Sequence, residues 1–204
     1  MDLEKDSQTK LLETATTLFA QKGFNGVSVR QLAEAANVNI AAISYYFRGK
    51  EGLYQAVLEE QFAPIAAALS QTKTANKLSA TEQLSMYAKH IAIIHRQRPL
   101  FTRFIFNEVS NPTPFFDLIF KKYISKIFQF ITGALTKGIA DGDFAADLNI
   151  NHAALSLAGI MNFYFIVNPL AKTIMPLDNT SDAEEYTVQA YRIYLDGIRR
   201  KKDE

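Results

Sequence analysis

Apolar residues recur at three- and four-residue intervals along almost the whole chain, and no stretch shows the alternation of a half-buried strand. The pattern predicts an all-α protein of about nine helices. Leu11, Leu12, Ala15, Leu18 and Phe19 form one stripe, and Lys22-Gly23 supplies a basic last turn and a left-handed cap, so the first helix ends near residue 22. Ser28-Val29-Arg30-Gln31 reads as a capping box that opens a short helix, about Val29 to Ala36. A second cap at Asn39 starts another short helix, marked by Ile40, Ile43 and Phe47, which must end before Gly49.

Lys50 opens a long helix with Leu53, Val57, Leu58 and Phe62 on one side, and Pro64 is expected to kink or stop it. After the polar stretch 71–77, a second capping box at Ser79 begins a helix running to about Gln97. Pro99 and Pro114 suit the first turns of the next two helices. The second of these, Pro114 to Ala140, is apolar around much of its girth and is expected to lie centrally. An uncharged helix from about Asn151 to Val167 follows, and Ser181 caps a last one reaching about Lys201.

The chain of 204 residues has room for a small module fused to a larger helical one. Absence of cysteine excludes disulfide frameworks, thiol catalysis and Cys-based zinc sites, and fits a reducing cytosol. The polar start MDLEKDSQTK lacks the apolar core of an export signal, so a cytoplasmic location is expected. Residues 153–171 carry no charge and are long enough to span a bilayer, but Ser156, Asn162, Asn168 and Pro169 interrupt them; a buried helix, with no membrane partner, is the expectation. The net charge of +1 is uninformative, whereas its distribution is not: Lys22, Arg30, Arg48 and Lys50 face a single acid, Glu34, between residues 22 and 50.

Residues 29–47 meet the requirements of two helices crossing steeply with the second exposed. Ala33 is the small contact, Asn37 tolerates the left-handed turn, and Leu32, Ala36, Val38 and Ile43 are inward anchors. Asn39, Ala41, Ala42, Ser44, Tyr45 and Tyr46 remain for the outer face, where small and hydrogen-bonding side chains suit a DNA groove. Two ordinary short helices in a helical domain would be the plain alternative.

The run Leu12, Ala15, Leu18-Phe19, Lys22-Gly23-Phe24, Ser28-Val29-Arg30, Leu32-Ala33, Ala36, Val38, Tyr45-Tyr46-Phe47 and Lys50-Glu51-Gly52-Leu53 resembles the amino-terminal domain of the tetracycline-repressor (TetR) family. The resemblance covers the first quarter of the chain. It implies that Ser28, Arg30, Tyr45, Tyr46 and Lys50 contact phosphates or nearby bases, that the third helix enters the major groove, and that a homodimer binds palindromic operator DNA. It further implies a division into a DNA-binding domain, residues 1–50, and a helical ligand-sensing and dimerisation domain, residues 51–204. Asn37 replaces the usual turn glycine, Ser44 a usual tyrosine and Tyr46 a usual histidine, departures that bear on the operator sequence.

A small-molecule effector would lie between helices in a mostly apolar cavity. Residues interrupting apolar faces are the candidates: Phe104, Asn107, Glu108, Phe120, Tyr123, Phe128, Met161, Asn162 and Phe165, each also readable as core or, for Glu108, as surface. Dimerisation is expected through the last two helices, with Ala154, Leu157, Ala158, Met161, Tyr186, Ala190, Ile193 and Tyr194 as its apolar positions and burial in the monomer as the alternative. His90 and His95 are five apart and make no metal pair, and no cofactor is expected. The rival reading, a helical enzyme, lacks a serine elbow, a His-Glu metal pair and a glycine-rich phosphate loop. Release from DNA is expected to follow when a ligand favours a shape that changes the spacing of about 34 Å between the two recognition helices, with the helix from Lys50 as lever.

Overall fold

A computed structural model describes residues 2–70, 78–176 and 182–200. Its helices are α1 (Asp2–Lys22), α2 (Val29–Ala36), α3 (Ala41–Phe47), α4 (Lys50–Ser70), α5 (Ala80–Gln97), α6 (Phe101–Ser110), α7 (Phe116–Ile119), α8 (Ser125–Ala140), α9 (Ile150–Ala171) and α10 (Asp182–Ile198). A π-helical turn, Phe120–Ile124, joins α7 to α8 without a break. Taken as one interrupted helix, 116–140 brings the number to nine among the described residues, as the periodicity predicts.

Both capping boxes form. Ser28 Oγ accepts from Gln31 N and Gln31 Oε1 accepts from Ser28 N, and Ser79 and Glu82 repeat the exchange at α5. The Ser181 cap and the stretch 71–77 fall outside the described residues. The two prolines expected in first turns stand two residues before α6 and α7 instead. Pro64 does not end α4, which runs on to Ser70. An interior proline costs about 3 kcal/mol. Phe62 and Ile65, both buried, offset this at about 1.5–3 kcal/mol each.

The chain divides into two compact units. The first comprises residues 1–63 and 100–120, the second 64–99 and 121–204. In the first, α1 packs on α2, α3 and α6, and α2 on α3. Leu11, Ala15, Phe19, Leu32, Ile43, Leu53 and Tyr54 form its core. Around Tyr54 the rings of Phe19, Phe24 and Phe115 stand at centroid distances of 4.8, 5.0 and 5.9 Å. The Tyr54 hydroxyl donates to Glu108 Oε1 at 2.5 Å, and burial followed by this bond pushes its pKa well above the usual range. Glu108 is itself 1% exposed and also accepts from the Thr113 backbone N–H and hydroxyl. Beside it, Asn107 Nδ2 donates to the Phe19 and Ala20 carbonyls in the last turn of α1, the Phe19 oxygen also accepting from the Gly23 N–H.

In the second unit α5, α8, α9 and α10 pack on one another, with α5 touching the other three. Tyr186 and Tyr194 of α10 donate to the Ile160 and Ala153 carbonyls of α9, and Tyr191 to the Thr81 carbonyl of α5. One antiparallel bridge, Phe144 with Arg199, ties the turn after α8 to the end of α10.

Phe144, 1% exposed, packs closely against Gly138 on α8. A Cβ there would stand 2.1 Å from its ring and 3.0 Å from the Ala80 Cβ. Gly138→Ala should therefore lower stability by about 1–3 kcal/mol through overpacking. Gly133→Ala on the same helix, with open space around it, should hold or raise stability by up to about 1 kcal/mol. Thermal melting of the two variants checks the contrast; equal midpoints would contradict it.

Candidate nucleic-acid interface

The interface is built by backbone geometry that leaves α3 little freedom. α2 ends at Asn37, whose φ of 52° and ψ of 49° are left-handed, and the Asn37 and Val38 N–H groups close onto the Glu34 and Ala33 carbonyls. At the entry to α3, Asn39 Oδ1 accepts from the Ala41 N–H at 2.8 Å, so the expected cap acts two residues on, while the helix boundary falls at Ile40. At its exit Arg48 (φ 62°) and Gly49 (φ 113°) turn the chain into α4.

Gly52 fixes the next angle. The Phe47 carbonyl oxygen occupies the space a Cβ would take, 1.8 Å from its ideal position, so the end of α3 and the first turn of α4 meet backbone to backbone. Lys50 then reaches over the Phe24 ring, its Nζ 4.2 Å from the centroid.

Ile43 is fully buried, and the opposite side of α3 faces outward as its spacing predicts. Asn39, Ala41, Ser44 and Tyr45 are exposed, Tyr45 by 73%; Ala42, Tyr46 and Lys50 are half-buried; Ser28 and Arg30 stand exposed at the start of α2. Tyr45 and Tyr46 meet edge to face at 4.9 Å. Ile40, one of the apolar residues that mark this helix and not among those expected on its outer face, is 51% exposed and joins this surface. Its position before the first helical residue, where the 3.6 period does not yet apply, is the signal that was available. Arg30, Glu34, Asn39 and Ile40 share a concave surface between α2 and the start of α3.

The candidate effector residues divide between the two units. Phe104 is fully buried near Tyr54, and Asn107 and Glu108 line a cleft of about 360 Å³ with Lys22, Asn25 and Thr113. In the second unit Met161 and Tyr123 are buried and Phe128 and Phe165 half-buried; the side chain of Phe120 lies outside the described residues. Asn162 is the organising group there. Its Oδ1 lies 2.9 Å from His95 Nε2, its Nδ2 donates to the Ala158 carbonyl, and it also bonds Tyr87. His95 stacks on Phe165 at 3.7 Å, and burial pushes its pKa down to about 4 against the opposing pull of the Asn162 bond. No group of three His, Asp or Glu side chains placed to hold a metal occurs among the described residues.

The expected apolar positions of the dimer face need correction. Ala154, Leu157, Met161, Ala190 and Tyr194 are buried within their own unit, and only Ile193 of that set is well exposed. In that unit α9 is packed by α5, α8 and α10. The outward side of these helices carries Leu155, Phe163, Ile166, Leu170, Val188 and Ile193 instead. α9 is long and apolar enough to cross a membrane, the one such helix among the described residues. Being apolar on both sides, it offers no sequence contrast to tell inner from outer.

Residues 11–57 match the family of bacterial regulatory proteins, tetR family, and residues 80–198 match the C-terminal domain of the HTH-type transcriptional dual regulator CecR. The probable HTH-type transcriptional regulator YttP of Bacillus subtilis (strain 168) is 34% identical over 134 residues, 63% of this chain and 64% of that protein. The matched part thus spans somewhat less than two thirds of that relative's length. The HTH-type transcriptional repressor KstR2 of Rhodococcus jostii (strain RHA1) is 25% identical over 155 residues, 72% of either protein. Among solved structures, a bacterial regulatory protein in the tetR family from Rhodococcus RHA1 superposes with a TM-score of 0.77 at 18% identity, covering 96% of this chain and 98% of its own. HlyIIR, a hemolysin II transcriptional regulator, superposes with a TM-score of 0.72 at 20% identity, covering 97% and 99%. Both share the fold.

Because His95 is held neutral in the folded chain, the unfolded chain binds its proton first as pH falls below 6.5. Stability attributable to the neutral His95 is present above that pH and is lost as pH falls towards 4. His95→Gln should flatten the decline in melting temperature across this window, whatever its effect at pH 8. An unchanged slope would show that the ring titrates freely.

Proposed function

Because the chain belongs to the tetR family of bacterial regulatory proteins, we propose that it is a transcriptional repressor that binds palindromic operator DNA as a homodimer and is released by a small-molecule effector. The observation that carries this is α3 itself: a short helix anchored by fully buried Ile43 and turning Asn39, Ala41, Ser44 and Tyr45 to solvent. Entering the major groove, Asn39 and Ser44 would bond base edges, Ala41 and Ala42 would permit close approach, and Ile40 would pack on thymine methyls. Ser28, Tyr45, Tyr46 and Lys50 would hold phosphates, and Arg30 would reach phosphates or bases. Residues 1–50 would carry all DNA contacts and 51–204 the effector site and dimer contact.

Dimerisation would use α9 and α10 through the exposed apolar side of Leu155, Phe163, Ile166, Leu170, Val188 and Ile193, which supplies what a partner's matching helices would cover. Covering that side with a second copy would also account for the apolarity of α9 without a bilayer, and the protein would then be cytoplasmic, with its DNA. The effector would sit among Tyr123, Phe128, Asn162 and Phe165, where the aromatic rings supply apolar area and the amide a directional bond. Met161 would lie beside that site, and Asn107 and Glu108 would serve to hold α6 within the first unit.

Selection of genomic fragments on the full-length protein should recover a two-fold symmetric sequence with half-sites about one helical turn apart. Tyr45→Ala and Lys50→Ala should each weaken binding to that sequence about tenfold or more, and Lys50→Ala should reduce the salt slope by about 1. Unchanged affinity in both variants would instead indicate a helical sensor that does not use this face.

A further inference from the structure

We propose that Glu34 is a specificity-determining residue: it positions Arg30 so that the guanidinium reads a guanine rather than settling on a phosphate. The inference rests on the DNA-binding reading above and extends it to a residue of opposite charge.

Arg30 Nε donates to Glu34 Oε1 at 2.7 Å across one turn of α2, with both side chains largely exposed. A pair so open to water contributes little to folding stability, so stability does not explain it. Glu34 is also the single acid between Lys22 and Lys50, on a surface that must approach polyanionic DNA. Placed there, a carboxylate weakens every phosphate contact nearby. Its location adds a second fact. Arg30 and Glu34 form one wall of the concavity whose other wall is Asn39 and Ile40, at the start of the recognition helix. An arginine in that position lies beside the helix that enters the groove.

With Nε engaged, the guanidinium has its two terminal nitrogens left as a parallel pair of donors. Guanine presents O6 and N7 as two acceptors on its major-groove edge, whereas adenine presents one acceptor and one donor. A held guanidinium therefore matches guanine twice and adenine once. An unheld one is satisfied by any phosphate oxygen, which carries no sequence information. Glu34 gives up general affinity and gains discrimination.

The experiment compares the full-length protein with Glu34→Ala, Glu34→Gln and Arg30→Ala on two duplexes at one salt concentration: the sequence selected by the wild type, and its scrambled form. Glutamine keeps an acceptor for Nε and removes the charge. Glu34→Ala should bind the scrambled duplex as well as or better than the wild type, while its preference for the selected sequence falls about tenfold or more, the cost of one bidentate base contact. Glu34→Gln should retain most of that preference. Replacing the half-site G·C pairs with A·T one at a time should reveal one pair that the wild type and Glu34→Gln require and Glu34→Ala does not.

If both Glu34 variants bind both duplexes more tightly with the preference unchanged, the carboxylate only repels phosphates and the proposal fails. If Arg30→Ala binds the selected duplex like the wild type while Tyr45→Ala does not, Arg30 lies outside the interface; the proposal fails and the DNA-binding reading stands. A wild-type protein that selects no sequence overturns both.

Discussion

The disposition of the whole DNA-facing surface depends on one close approach, that of the Phe47 carbonyl oxygen to Gly52. A side chain at 52 would need the space that oxygen occupies, so the end of α3 and the start of α4 can meet at this distance only while residue 52 is glycine. From that contact follow the sharp left-handed exit through Arg48 and Gly49, the seating of Lys50 over Phe24, and the angle at which α3 leaves its outer face free. The left-handed Asn37 does the equivalent work at the other end. α3, only seven residues long, has too few backbone hydrogen bonds to be stable alone. Its shape is imposed by the two turns and by Ile43.

Much of this surface is legible in the sequence because each of its parts is local. Ser28 and Gln31, Asn37, and the Ile43 anchor are signals whose cause and effect lie within four residues. What was not legible depends on partners distant in the chain. Pro64 ought to stop a helix by local rules, yet burial on either side of it carries α4 through. Glu108 has the composition of a surface residue, and nothing nearby announces that Tyr54, more than fifty positions earlier, will bond it. α9 is apolar all round, so periodicity identifies the helix but not its inner side, and most of the residues assigned to a partner's surface prove to be buried within their own unit.

The buried polar groups around Glu108 are arranged so that this carboxylate has donors at hand. Glu108 receives a hydroxyl from α4 and both a hydroxyl and an N–H from the segment after α6, while Asn107 serves the end of α1. Removing one partner from such a set leaves the others desolvated and unbonded, a larger loss than the bond itself. These contacts make α6 an integral part of the first unit, although thirty-six residues separate it from the rest of that unit in the chain.

That discontinuity bears on the order in which the protein is made. Ribosomal synthesis delivers residues 1–63 first, then α5, and only afterwards the segment bearing Glu108 and Phe115. Until about residue 120 has emerged, the nascent head holds Tyr54 without its acceptor and one side of its aromatic cluster bare. A fragment cut after α4 would remain in that unfinished condition permanently.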